Sequence, residues 1–235
     1  MALIPFNWNL TAGSYALTFN YGGSSKTIDI TLKERGAFDG RPTFKDRNVS
    51  ITGADSIIGE KGKAEEVLRE IAKAESAVRY WDIGETLYYD DDTDTDIITY
   101  KYGFGDTLNV SGTDDSYRNT GVDFTVRSKG KDIKANLDGV VVYAGRLDYC
   151  GYTVVVDHGY GLKSWYAHLG EVTVEVGTEV KKGEAIGKTG DSISYTPDKC
   201  LHIGMTIFDT PVCTYAIWKN GHSADDSQGI RVYQQ

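Results

Sequence analysis

Short apolar runs separated by single glycines fill the second half of the chain. Strand-sized examples lie at residues 140–144 and 154–156, and the glycines in this half include Gly121, Gly139, Gly145, Gly151, Gly159, Gly161, Gly170, Gly177, Gly183, Gly187 and Gly190. Strand-sized runs broken at turn-spaced intervals indicate an all-β sandwich or barrel-like domain. The runs fall well short of the ~20 apolar residues that a membrane-spanning helix needs. The pattern therefore predicts a mainly β protein with no membrane span in this segment.

The first half combines one strand pattern with one helix pattern. Residues 15–19 and 27–32 alternate apolar and polar side chains on either side of a Tyr-Gly-Gly-Ser-Ser stretch, which predicts a β-hairpin. Between residues 61 and 81 apolar side chains recur at three- and four-residue steps among charged ones, which predicts an amphipathic helix. We therefore expect a smaller β-rich domain over residues 1–95, with its helix near 61–81, and a second domain over residues 96–235.

Composition limits the classes of function. The 235 residues carry 40% hydrophobic and 25% charged side chains, as ordinary folded domains do, and a formal net charge of -9. An acidic chain without Lys/Arg clusters is not built to bind nucleic acid or an anionic lipid surface.

The N-terminus has no basic region followed by an apolar one, so no intact signal peptide is expected. The acidic run at residues 90–96 lacks the turn glycine and the final glutamate of an EF-hand, which favours a solvated loop over a calcium site.

Two further patterns concern the cysteines and a glycine-flanked turn. Cys150, Cys200 and Cys213 are an odd number, so no complete disulfide framework is expected and the pairing stays open. A segment at residues 177–184 has the glycine spacing of a tight hairpin.

Several motifs in the second half stand in a specific order. Residues 119–124 read Asn-Thr-Gly-Val-Asp-Phe, residues 166–169 read Tyr-Ala-His-Leu, and residues 200–202 read Cys-Leu-His. With the glycine-rich strands between them, these motifs resemble the lysostaphin/LytM-type zinc endopeptidases, which cut peptide cross-links in peptidoglycan. The likeness runs from residue 117 to about residue 210. It implies an antiparallel β domain with a duplicated motif and a groove.

The resemblance also assigns site residues. In the family, zinc is held by the histidine and aspartate of a His-x-x-x-Asp motif and by the last histidine of a His-x-His motif. Asp123 and His202 occupy two of these ligand positions, while Asn119 stands at the third. His168 falls at one catalytic position, and Cys200 replaces the other catalytic histidine. The chain is thus a degenerate relative that lacks two site histidines, and His158 lies in a turn that is usually structural.

The two replacements argue against hydrolysis. A carboxamide oxygen is a poor zinc ligand, so Asn119 leaves two good ligands. A thiol at Cys200 lacks an imidazole's pKa near neutrality. An alternative stays open: Cys200 and His202 lie two apart on a strand and share a face, so an altered Asp/Cys/His zinc site could retain peptidase activity.

The function expected from these observations is binding or scaffolding at the bacterial cell envelope, outside the cytoplasm. The partner would be a peptidoglycan peptide or glycan, or an envelope protein. Two interpretations stay open for five aromatic residues, which either line the groove or pack within the sheet: Tyr149, Tyr152, Trp165, Tyr166 and Tyr195.

Overall fold

The protein is described here by a computed structural model. It describes residues 5–6, 10–32, 46–49, 61–82, 99–112, 114, 116–126, 128–147, 150–190 and 200–213. The first strands are β1 (Gly13–Tyr21), β2 (Ser24–Leu32) and β3 (Asp46–Val49), and helix α1 follows at Lys61–Lys73. The next are β4 (Thr99–Tyr102), β5 (Thr107–Val110), β6 (Ser116–Arg118), β7 (Gly121–Thr125), β8 (Asp132–Lys134), β9 (Gly139–Leu147) and β10 (Gly151–Asp157). The last are β11 (Leu162–Leu169), β12 (Glu171–Val172), β13 (Glu179–Val180), β14 (Ala185–Lys188), β15 (Cys200–Ile207) and β16 (Thr210–Val212).

The predicted mainly β fold is confirmed. An eight-stranded antiparallel sheet has the order β13-β9-β10-β11-β15-β7-β4, with β16 paired to β15. A three-stranded sheet, β12-β14-β8, contributes Ile133 and Ile186 to the same buried apolar cluster. The core therefore lies between these two sheets, and no closed barrel forms within the described part of the chain.

Alternation along the strands sends two sets of side chains to opposite faces of the large sheet. On β15, Leu201, Ile203 and Met205 belong to the core cluster. Because successive side chains on a strand point to opposite faces, Cys200 and His202 lie on the other side. We call this other side the site face. On β11 it carries Lys163, Trp165 and Ala167, since the intervening Leu162 and Tyr166 are core residues.

The predicted hairpin near the N-terminus is confirmed. Strands β1 and β2 pair antiparallel along their whole length, from Gly13 opposite Leu32 to Tyr21 opposite Ser24. Gly22 and Gly23 form the turn with φ of 57° and 79°, left-handed values that favour glycine and suit a tight hairpin.

The predicted helix is confirmed in position and wrong at its C-terminal end. Helix α1 begins at Lys61 and ends at Lys73, rather than near residue 81. Its apolar stripe includes the buried Ile71, as the amphipathic pattern requires. Residues 74–82, called the strap below, leave the helix because their backbone bonds to the β10–β11 turn instead.

The prediction of a β-hairpin at residues 177–184 is wrong. Strand β13 pairs with β9 in the large sheet, whereas β14 pairs with β12 and β8 in the small one. A tight turn does form, since the Glu184 N–H donates to the Lys181 carbonyl at 2.9 Å. Glycine spacing predicted that turn, but the sheet in which each flanking strand pairs depends on core packing.

The expected division after residue 95 stays a prediction. Strand β3, from before that point, pairs in parallel with β5, from after it, and β5 pairs with β6. The two parts of the chain are thus hydrogen-bonded to each other. The acidic run at residues 90–96 lies outside the described residues. No helix in the described part of the chain is long and apolar enough to cross a membrane.

Candidate functional site

Asp123 and His202 form a direct pair on the site face. They are register partners on the neighbouring strands β7 and β15, so their side chains project side by side. The His202 Nδ1–H group donates to Asp123 Oδ1 at 2.8 Å. Their side chains are only 15% and 9% exposed, respectively, so this charge-assisted bond is shielded from water. The two residues that keep the family pattern are therefore brought together.

Asn119 completes the pair from the loop before β7. Its Nδ2 donates to Asp123 Oδ2 at 2.9 Å, while its Oδ1 accepts the Gly121 N–H at 3.3 Å. An ionised carboxylate can only accept, so the amide nitrogen must face Asp123. The carboxamide oxygen, its only possible metal donor, is thereby turned toward Gly121.

The turn between β4 and β5 holds Asn119 in place. Asn119 N–H donates to the Asp106 carbonyl at 2.9 Å, and Gly105 N–H donates to the Asn119 carbonyl at 2.7 Å. Asn119 is 3% exposed and Asp106 is 5% exposed. These contacts were not predicted from the sequence, because no local pattern links the turn at residues 105–106 to Asn119.

The second nitrogen of His202 is packed against backbone. A methyl group added at Gly121 would stand 2.8 Å from His202 Nε2 and 2.4 Å from the Ile203 carbonyl oxygen. Gly204 is similarly close, with Nε2 3.2 Å from the corresponding added atom. Nδ1 is therefore the nitrogen directed to the site, and it is engaged by Asp123.

Cys200 lies on the same face of β15 but beside a different partner. Its register partner is Thr125, whereas Asp123 faces His202. The residue is 1% exposed. Cys200 and His202 are two residues apart, or about 6.6 Å along the strand. The shared face was predicted correctly, and burial gives Cys200 the surroundings of a small apolar residue.

His168 stands close to this group with an unusual backbone. Its φ is 62°, in the left-handed region, and its ring meets the His202 ring edge-on with centroids 6.1 Å apart. Its Nδ1 is buried and has no hydrogen-bond partner among the described residues. Burial lowers the pKa of His168 to about 4, although the charge of Asp123 acts in the opposite direction. The imidazole is therefore neutral at pH 7.

Cys150 also belongs to this neighbourhood, which sequence reasoning missed. Its carbonyl accepts the His168 N–H at 2.8 Å. Burial raises the pKa of the Cys150 thiol to about 11, and the negative charge of Asp123 adds to the effect. The thiol therefore stays protonated at neutral pH and is a poor metal ligand. None of the three cysteines forms a disulfide.

The donor set does not fit a conventional zinc site. Zinc takes deprotonated thiolate, neutral imidazole nitrogen or carboxylate oxygen in tetrahedral sites. Here both Asp123 oxygens accept N–H groups, one of them from the His202 nitrogen that would have to bind metal. Among the described residues no group of three or more His, Cys, Asp or Glu side chains is placed to hold a metal ion.

His158 and Tyr166 belong to the interior. His158 is fully buried, with Nδ1 2.7 Å from the Asp138 carbonyl and Nε2 2.8 Å from Ser164 Oγ. This agrees with the structural role expected for the turn. Tyr166 packs in the interior and does not line a groove, since it is 0% exposed and accepts the Asn136 N–H. Tyr152 is exposed and Trp165 is half-buried, whereas Tyr149 and Tyr195 lie outside the described residues.

Comparisons with known proteins agree with this description of the second half. Stage II sporulation protein Q of Bacillus subtilis is 38% identical over 98 residues, covering 39% of this chain and 34% of that protein. Peptidoglycan DD-endopeptidase ShyA of Vibrio cholerae is 25% identical over 231 residues, covering 89% of this chain and 53% of that protein. Murein hydrolase activator EnvC of Escherichia coli is 40% identical over 65 residues, covering 28% of this chain and 16% of that protein. The chain thus spans only part of the length of each.

The fold is also that of a Pseudomonas aeruginosa crystal structure described as a peptidase M23. The TM-score is 0.61 at 21% identity, covering 89% of this chain and 75% of that chain.

The antiparallel sheet, with an aspartate and a histidine paired across β7 and β15, defines a lysostaphin/LytM-type domain. The profile of Peptidase family M23 matches residues 117–214. The second half of the chain is therefore similar to that family.

Proposed function

We propose that the chain is a non-catalytic M23 protein that binds peptidoglycan or an envelope protein outside the cytoplasm. The observation that carries the proposal is the closed hydrogen-bonded set at the metal position. Asn119 and His202 each donate one N–H to a different oxygen of Asp123. A zinc ion bound by His202 Nδ1 and Asp123 Oδ1 would have to displace the hydrogen bond between these two atoms and move the proton off His202 Nδ1.

The replacement at Cys200 supports the same proposal. Peptide hydrolysis on zinc needs the metal to lower the pKa of a bound water and a general base to move the proton. Cys200 is buried and faces Thr125, so it presents no imidazole to a water at Asp123. His168 is the one imidazole left at the family's two catalytic positions. It does not replace the zinc ligand that is lost where Asn119 stands for a histidine.

The relatives are compatible with a binding role. They include a protein named as a peptidoglycan endopeptidase and one named as a murein hydrolase activator. We infer that this chain retains the binding face of the family while its metal position has changed. The envelope is then the expected location, and a peptidoglycan peptide, a glycan strand or an envelope protein is the expected partner.

Metal content and hydrolysis test the catalytic half of the proposal. Protein purified without added metal should contain no stoichiometric zinc and should not digest purified peptidoglycan. The double variant Asn119→His/Cys200→His restores both replaced imidazoles and serves as the positive control, with zinc expected to bind. Turnover by the unaltered chain that is lost with a chelator and in Asp123→Ala would instead establish the alternative, an altered Asp/Cys/His zinc peptidase.

Co-sedimentation with peptidoglycan sacculi tests the binding half. The unaltered chain should sediment with sacculi. A His168→Ala variant should bind less, since the His168 ring lies edge-on beside His202 at the site. Tyr21→Ala is a suitable control, because Tyr21 is 90% exposed at the tip of the β1–β2 hairpin. Absence of sedimentation would contradict peptidoglycan binding and would favour a protein partner.

A further inference from the structure

The turn that joins β4 to β5, at residues 103–106, reaches the candidate site from outside the region that matches the family. It reads Gly-Phe-Gly-Asp, whereas the match to Peptidase family M23 begins at residue 117. The Asp106 N–H donates to the Gly103 carbonyl at 3.1 Å, and Gly105 has a φ of 80°. A left-handed glycine at the third position is typical of a type II turn. These residues therefore encode a turn of defined shape.

The side chain of Asp106 holds this turn together. Its Oδ2 accepts the Gly103 N–H at 3.0 Å, and the residue is 5% exposed. Two arginines from neighbouring strands contact the turn as well. Arg47 on β3 has its Nε 4.0 Å from Asp106 Oδ2, and Arg118 on β6 donates from Nη1 to the Gly105 carbonyl at 2.9 Å. The turn is thus fixed by its own hydrogen bonds and from β3 and β6.

Both main-chain polar groups of Asn119 bond to this turn. The Asn119 N–H donates to the Asp106 carbonyl at 2.9 Å, and the Asn119 carbonyl accepts the Gly105 N–H at 2.7 Å. Neither bond uses a side-chain atom of residue 119, so both can form with another side chain at this position. They fix the direction of the Cα–Cβ bond, and the Asn119 side chain reaches Asp123, where Nδ2 donates to Oδ2 at 2.9 Å.

We propose that the turn at residues 103–106 is a positioning element of the candidate site, set by Asp106, and that it directs the side chain of residue 119 at Asp123. The proposal rests on the same hydrogen-bonded set as the proposed function and extends the site to a segment before the family match. Two consequences follow. The hydrogen bond from Asn119 to Asp123 depends on Asp106, and a different side chain at residue 119 points to the same place.

Hydrogen exchange of the Asn119 side-chain amide tests the first consequence. In heteronuclear NMR spectra of the full chain, this amide signal is identified by its loss in Asn119→Ser. Asp106→Ala should accelerate the exchange about tenfold, because a loosened turn lets the hydrogen bond to Asp123 open. Asp106→Asn should restore slow exchange, since its amide oxygen can still accept the Gly103 N–H.

Asp138→Ala is the matched control for this measurement. The Asp138 carboxylate accepts the Lys182 N–H at 2.7 Å, so it also holds a turn, but beside β9 and β13 at the opposite edge of the large sheet. The Asn119 exchange should be unchanged in this variant. If Asp106→Ala does not fold, Arg118→Ala replaces it, because Arg118 is exposed and holds the Gly105 carbonyl. A folded turn variant with unchanged Asn119 exchange overturns the proposal.

Zinc uptake by substituted chains tests the second consequence. Asn119→His places an imidazole beside Asp123 and His202, which together are donor types that zinc takes. After incubation with zinc and desalting, this variant should retain stoichiometric metal. Adding Asp106→Ala should weaken its zinc affinity about tenfold, as loss of a supporting contact does in other zinc sites. Cys200→His is the control and should retain none, since its register partner is Thr125.

The outcomes separate the turn from the proposed function. Absence of zinc in Asn119→His, or an affinity that Asp106→Ala leaves unchanged, would overturn the directed position at residue 119. Zinc in the unaltered chain would contradict the proposed function instead. The amide exchange requires no metal, so it decides the role of Asp106 in either case.

Discussion

Two buried carboxylates on one sheet face differ in what surrounds them. Asp157 lies opposite Lys163 on β11, and its oxygens accept backbone N–H groups from Ser76 and Gly159. Asp123 lies opposite His202 on β15, and its oxygens accept side-chain N–H groups from His202 and Asn119. The Asp157 oxygens thus accept from backbone groups, whereas the Asp123 oxygens accept from side chains, so a single substitution at Asn119 or His202 removes a partner of Asp123.

The exposure of the two clusters differs as well. Asp157 and Lys163 are 2% and 0% exposed, so the strap shields them from water. At the other cluster, the His202 side chain is 15% exposed, and the buried Nδ1 of His168 has no hydrogen-bond partner within the described part of the chain. Satisfied and fully covered polar groups serve the fold, whereas a partly exposed polar side chain such as His202 can contact a ligand. The strap end is therefore structural, and the Asp123 end is the candidate site.

The largest expected effect is at the strap. Asp157→Ala removes the acceptor for the Ser76 N–H and the negative charge that favours the ammonium form of the buried Lys163, which should lower the free energy of unfolding by about 3 kcal/mol. Urea denaturation followed by tryptophan fluorescence measures the change. The control is Glu70→Ala, which removes the exposed Lys73–Glu70 pair and should cost less than about 0.5 kcal/mol. Equal effects in the two variants would show that the Asp157 carboxylate does not hold the strap in place.

Gly159 gives a second test of the same contact. Gly159→Ala should destabilise by about 3 kcal/mol, because left-handed strain is added to a collision with the strap backbone. Gly177 has a similar φ of 90° and open space around it, so Gly177→Ala should cost only the strain, about 1 kcal/mol. Thermal melts of both variants measure the difference. A Gly159→Ala protein as stable as Gly177→Ala would mean that the strap does not pack closely on the turn.

A smaller effect is expected at the site. Asn119→Ala removes a hydrogen bond to the buried Asp123 carboxylate and should lower the free energy of unfolding by about 2 kcal/mol. Chemical denaturation measures it, with Asn20→Ala in the exposed hairpin as a control that should be neutral. A neutral Asn119→Ala would show that Asp123 finds another donor, which would weaken the closed hydrogen-bonded set as an argument against metal.

The smallest effect concerns pH. Burial lowers the pKa of His168 to about 4, below the ordinary histidine pKa of 6.5, so between these values the unfolded chain binds a proton that the folded protein does not. The contribution of His168 to stability is therefore fully present above pH 6.5 and is lost as pH falls toward 4. His168→Gln should flatten this part of the stability profile, measured by melting temperature at each pH. An unchanged slope in the variant would place the titrating group elsewhere.

Local patterns predicted much of the fold and the identities at the candidate site. Alternation along β15 was enough to place Cys200 and His202 on one face, and the family resemblance placed Asp123 with them. The Gly22–Gly23 turn was also visible, because its left-handed conformation has a sequence signature. The sequence predicted too long a helix α1, because the apolar spacing continues past Lys73. The hydrogen bonds that end the helix come from the turn between β10 and β11, which is distant in sequence.

The sequence by itself determined the β class, the family resemblance and the two replaced histidines, since these depend on residue type and spacing. Only the tertiary structure decided how Asn119 is oriented, which His202 nitrogen faces Asp123, and that Cys150 lies beside His168. It also decided that the strap covers the Lys163 end of the site face. The physical reason is that strand periodicity is a local property, whereas the partner of a buried donor or acceptor is set by whichever distant segment packs against it.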